Sequence, residues 1–219
     1  MKKIFIIFLL LLTGCSDSSN NFSKVENNPY ENIPIKNELD GFTIEASSVN
    51  TRNIDYYLFR DDTMYVDLRY YSWVLNQGHI AGFSFYPFYE LIAAMENSEN
   101  DNKLFSYKKQ SPICEVGSFF PNYEESEFLL YNLFPKDKYI FAISQSGLEC
   151  VYFFNLLTQY GYDASKLYNI GGFSNGTGLY NIAYIDLENP KYLVKGNPIL
   201  DSSIKEVTYD FMDGLTPLE

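Results

Sequence analysis

The clearest pattern of apolar positions is Tyr139–Ile143, followed by the small polar stretch Ser144-Gln145-Ser146-Gly147 and then by Leu148–Tyr160, apolar enough for a buried helix. A short continuous run, a break and a longer apolar run predict strand, tight loop and helix. Shorter units of the same kind precede and follow it. Met64–Leu68 and Phe83–Tyr86 read as buried strands, Lys166–Ile170 as a last one, and Phe42-Thr43-Ile44 as a further short one. Ile54, Tyr57 and Leu58 fall at helical spacing within Thr51–Arg60, with Ser47 and Ser48 as candidate caps and Asp61-Asp62 as the stop. Phe88, Leu91, Ile92 and Met95 repeat in the same way and predict a crossover helix. Regular structure resumes over Glu124–Phe134 before a Pro135-Lys136-Asp137 turn, and Gly161 stands at a helix-stop position. Strands alternating with helices predict an α/β fold, a mostly parallel sheet with helices on both faces.

The pattern lapses in two places. Residues 96–122 are polar and broken by Pro112, Gly117 and Pro121, which marks a long insertion. Ser16–Asn37, rich in Ser, Asn, Glu and Lys, reads as a disordered tether; a flexible chain of about 22 residues reaches roughly 25 Å. Ahead of it, Met1-Lys2-Lys3, the apolar run Ile4–Leu12 and Leu12-Thr13-Gly14-Cys15 have the three regions of an export signal. That run is far short of the roughly 20 residues that span a bilayer. Leu-Thr-Gly-Cys resembles a bacterial lipobox, which implies cleavage before Cys15 and acylation of that cysteine. The predicted organisation is a lipoprotein signal peptide at 1–14, the lipidated Cys15 and tether at 15–40, one domain at 41–190 and a C-terminal extension at 191–219. The expected place is the bacterial cell envelope, on the periplasmic or outer-surface side, with a membrane as partner through the anchor.

Composition agrees with one core: 219 residues at 46% hydrophobic and 18% aromatic fill a single domain rather than two. The net charge is −12, and loss of Lys2 and Lys3 with the leader makes it more negative. Such a chain repels phosphate backbones, so nucleic acid is not an expected partner. The aromatic residues, among them Tyr70-Tyr71, Tyr86 and Phe119-Phe120, suit either a core or a recognition surface.

Three short motifs share an order. Val66-Asp67-Leu68-Arg69 is similar to the Asp-x-Arg of the rhodanese-like family, Gly78-His79-Ile80-Ala81-Gly82 to its Gly-His-Ile-x-Gly, and Gly161-Tyr162 through Gly171-Gly172 to its closing Gly-Tyr…Gly-Gly. The resemblance runs from about Gly41 to Phe173. It implies a five-stranded parallel sheet flanked by helices, with the active loop after the fourth strand, here Ser144, Gln145, Ser146, Gly147, Leu148 and Glu149. Active members carry a persulfide-forming cysteine at the first loop position and commonly an arginine at the sixth. This sequence has Ser144 and Glu149 there.

Both changes point away from sulfur transfer. A serine hydroxyl forms no persulfide and does not ionise near neutral pH, unlike a thiol with a pKa of about 8.5. A carboxylate beside an anion cradle repels where a cation attracts, by about 4 kcal/mol at about 4 Å before solvent screening. Cys150, at the start of a helix, stands as a thiol nucleophile or as a small side chain packing helix on sheet. It is open to pairing with Cys114 in an oxidising compartment. A hydrolytic role for Ser144 needs a base, and the sole histidine, His79, belongs in the resemblance to a fold-supporting turn; the Gly-x-Ser-x-Gly elbow is absent. Asp67 and Arg69 suit an ion or hydrogen-bonding pair near the loop. One histidine and no close cysteine pair argue against a metal, and nothing calls for a cofactor. The expectation is a sulfurtransferase-like pseudoenzyme that binds a protein or small ligand at the 144–149 loop. The alternative is an envelope sulfurtransferase or thiol-redox enzyme using Cys150.

Overall fold

The computed structural model describes residues 32–34, 36, 42, 47–50, 53–95, 103–108, 117–173, 192–194 and 214–218. The described strands are β1 (Thr63–Asp67), β2 (His79–Ile80), β3 (Ser84–Phe85), β4 (Ala93–Ala94), β5 (Phe105–Lys108), β6 (Ser118–Pro121), β7 (Tyr139–Ser144), β8 (Leu167–Gly172) and β9 (Leu193–Val194). The α-helices are α1 (Tyr71–Gln77), α2 (Ser126–Leu133) and α3 (Leu148–Gln159).

The main sheet has four parallel strands in the order β3-β1-β7-β8. Parallel strands need crossovers and are buried on both faces, which is why β7 reads as a continuous apolar run rather than an alternating one. Its residues divide between two cores. Ile140 and Ala142 join Phe153, Phe154, Leu156 and Leu157 of α3 and Leu129, Leu130 and Leu133 of α2. Phe141 and Ile143 face the other way, onto Ile54, Tyr57, Ile80, Phe83 and Tyr192. Among the described residues, one face is covered by two full helices and the other by a helical turn and extended chain.

The predicted helix over Thr51–Arg60 is a single 3-10 turn, Ile54–Tyr57, with Asn53 as its N-cap instead of Ser47 or Ser48. Asparagine side chains divert the backbone here. The Asn50 N–H donates to Asn53 Oδ1 (2.9 Å), and Asn53 Nδ2 donates to the Ser48 carbonyl (2.9 Å), offering the chain a folded alternative to a helix. Downstream, Leu58 is extended and Phe59 has φ of +59°, which ends the turn. The predicted crossover helix through Met95 is also shorter: a wide five-residue turn, Phe88–Ile92, gives way to β4, whose backbone pairs with β5.

The insertion contributes β5 and β6, which with β4 form a three-stranded sheet. The Gly78–Gly82 turn contains β2, which pairs antiparallel with β9 of the C-terminal extension. Near the C-terminus, Thr216 and Leu218 exchange backbone hydrogen bonds with Glu124 and Asn122. Cys15, Cys114, the signal and most of the tether lie outside the described residues. Of the expected strand Phe42-Thr43-Ile44 only Phe42 is described; its carbonyl accepts from Asn169 Nδ2 (2.7 Å), beside the β8 edge of the sheet. Among the described residues no helix is long and apolar enough to cross a membrane.

Candidate functional site

Parallel strands carry their loops at one end, and β7 delivers Ser144 to that end of the sheet with α3 beginning four residues later. The reversal is made by Gly147, whose φ of +87° lies in the left-handed region where a Cβ is strained. The loop then closes on itself. The Gly147 N–H donates to Ser144 Oγ (2.8 Å), and the Leu148 N–H points to Ser146 Oγ at 3.3 Å. Two amides at the helix start are thus occupied by the loop's own hydroxyls. Ser144 is fully buried.

The closing glycines hold this loop from below. Between Ala142 and Ile143 the β7–β8 register shifts, so that Gly172 stands opposite Ser144. A Cβ on Gly172 would lie 2.9 Å from the Ser146 carbonyl carbon and 3.0 Å from the Gln145 carbonyl oxygen. The Phe173 N–H donates to the Ser144 carbonyl (2.9 Å), and Asn169 Nδ2 to the Gly147 carbonyl (3.0 Å).

Asp67 and Arg69 form a wholly buried ion pair at the end of β1, with Arg69 Nη2 2.6 Å from Asp67 Oδ2 and Nε 2.9 Å from Oδ1. Two further guanidinium hydrogens go to the Gly78 carbonyl (2.9 Å) and Gln77 Oε1 (3.2 Å), while Cζ lies 3.6 Å from the Phe173 ring centroid. The pair therefore ties β1, the end of α1 and the end of β8 together beneath the loop. With every oxygen and most donors engaged inside the protein, it is a scaffold rather than a proton-transfer pair. His79 packs edge-on to Phe85 (4.9 Å between centroids), and its burial lowers its pKa, so the ring favours the neutral form.

Cys150 carries a free thiol with no solvent exposure, packed in the α3 core. Burial pushes its pKa well up, against a smaller opposing pull from the Ser144 hydroxyl. A thiol held protonated and out of solvent is a packing group, since the thiolate is the nucleophile. Among the described residues no cluster of three or more His, Cys, Asp and Glu side chains forms a metal site.

Hydrophobic periodicity did not point to the loop's neighbours. Tyr70 leads into α1 and contacts Trp73 edge-on (5.0 Å, 83°) and Tyr89 nearly parallel (6.2 Å, 28°). Glu149, half-buried on the first turn of α3, faces the same side, and its charge acts on the hydroxyls of both tyrosines. Both hydroxyls are pushed up, chiefly by burial and then by the carboxylates, Glu90 adding to the effect on Tyr70. No family model, curated protein or solved structure matches the chain.

Proposed function

We propose that the chain is a lipid-tethered module of the bacterial cell envelope whose rhodanese-like domain binds a ligand or partner at the 144–149 loop and does not transfer sulfur. One observation carries the second half of this reading: the group at the end of β7 is a fully buried serine whose Oγ already takes the Gly147 amide. A hydroxyl there accepts the hydrogen bond that would otherwise stabilise an anionic sulfur, yet cannot itself become the nucleophile. Glu149 opposes any anionic sulfur donor approaching from outside. The family reading draws on the parallel sheet, the loop leading into α3 and the three ordered motifs: Gly172 meets the loop backbone directly, while Arg69 donates to the Gly78 carbonyl and lies over Phe173. The Phe42 carbonyl, which accepts from Asn169 Nδ2 beside β8, supports a fifth strand as part of this proposal. The alternative thiol enzyme has less support, because Cys150 is buried with its pKa raised.

Intact-mass spectrometry after exposure to thiosulfate separates these readings. The wild-type protein is expected to gain no sulfur. Ser144→Cys combined with Glu149→Arg is expected to gain a single sulfur at position 144, the thiolate attacking the outer sulfur of thiosulfate as sulfite leaves. Sulfur on the wild-type protein would overturn the non-catalytic reading, and a folded double variant that stays unmodified would overturn the family geometry.

A further inference from the structure

We propose that the aromatic face formed by Tyr70, Trp73 and Tyr89, with the Glu149 carboxylate at its edge, binds an alkylammonium group. The inference rests on the reading above that the loop serves binding, and it names the ligand class.

The topology builds this face from three elements that are distant in sequence. Tyr70 and Trp73 sit three residues apart where the chain leaves β1 for α1, Tyr89 comes from the turn after β3, and Glu149 opens α3 after β7. Two rings meet nearly at right angles and a third stacks on the first; the two tyrosines are half-buried and Trp73 is the exposed member of the group. Trp73 is 36% exposed, and Leu148, next to Glu149, is 49% exposed. Aromatic faces attract cations through the ring quadrupole, tryptophan most strongly.

Charge decides between a cation and an apolar partner. The hydrogen bond shown for Glu149 is a long one, 3.3 Å from Ser146 Oγ, and no lysine or arginine among the described residues pairs with it. Its carboxylate therefore differs from that of Asp67, which Arg69 neutralises. An apolar surface docking here would strip water from Glu149 without replacing it, a penalty that an ammonium group removes. An anion meets repulsion from Glu149 and finds the Gly147 and Leu148 amides engaged by Ser144 and Ser146. An alkyl chain on the ammonium can lie along the rings while its N–H groups reach the carboxylate.

Trp73 is the sole tryptophan, so its fluorescence reports on the face directly. The purified protein is titrated with n-butylammonium and with n-butanol as the neutral counterpart. Saturable change with the cation, weakening as salt rises, is expected, and butanol should bind at least about fivefold more weakly. Glu149→Gln should weaken butylammonium by about fivefold. Tyr70→Leu should weaken it also. Equal affinity for butanol and butylammonium, or an unchanged affinity in Glu149→Gln, would overturn the proposal; the Glu149→Gln variant tests it even if Tyr70→Leu does not fold. Spermidine and N-acetyl-lysine amide separate a free polyamine from a lysine side chain as the source. Wild-type sulfur loading from thiosulfate refutes the non-catalytic reading whatever the amines do. Without such loading, failure of amine binding refutes this inference alone.

Discussion

Arg69→Met should lower the unfolding free energy by about 3–5 kcal/mol, the range found when one member of a buried ion pair is removed. Arg69 and Asp67 have no side-chain exposure, so no solvent replaces the lost partner. The substitution removes all three guanidinium contacts to Asp67 and leaves the Gly78 carbonyl and Gln77 Oε1 without a donor from this side chain. Methionine restores some contact with Phe173 but no charge. Urea unfolding monitored by circular dichroism checks the magnitude. Adding Asp67→Asn should recover part of the loss, because the uncompensated charge rather than the missing contact dominates. A loss below about 1 kcal/mol would mean that water reaches the pair.

Gly172→Ala should destabilise the fold by about 1–3 kcal/mol and loosen the loop with it. The new methyl group would meet Ser146 and Gln145 backbone at 2.9–3.0 Å, and backbone cannot rotate aside as a flexible side chain can. Relief requires the loop to lift from β8, which strains the Gly147-to-Ser144 hydrogen bond and the Phe173-to-Ser144 contact. Denaturant unfolding gives the free energy. Faster amide exchange at Gly147 distinguishes a lifted loop from a general loss of stability, in which exchange at β1 rises equally.

The elements legible in the sequence were those whose pattern and packing coincide. β1, β7, β8 and α3 are buried on the faces their apolar runs imply, so hydrophobicity alone locates them. The strands within the insertion were not legible, because β5 and β6 lack alternation and gain their partners from β4 and from each other. β2 and β9 are two residues each and pair across more than a hundred positions, which no local window detects. Helix α1 buries only Val74 of its seven residues, leaving no periodicity to read. At Ile54–Tyr57 the spacing was helical but asparagine hydrogen bonds prevailed over it. The loop itself was legible as strand, turn and helix. The capture of its amides by Ser144 and Ser146, and the aromatic face beside it, depend on side-chain directions and on contacts between remote segments.

The most direct measurement is thiocyanate formation from thiosulfate and cyanide by the purified wild-type protein. A rate equal to that of buffer is predicted, because the buried Ser144 supplies no thiolate and Cys150 is held protonated in the α3 core. Thiocyanate well above the buffer rate that disappears in Cys150→Ala would contradict it.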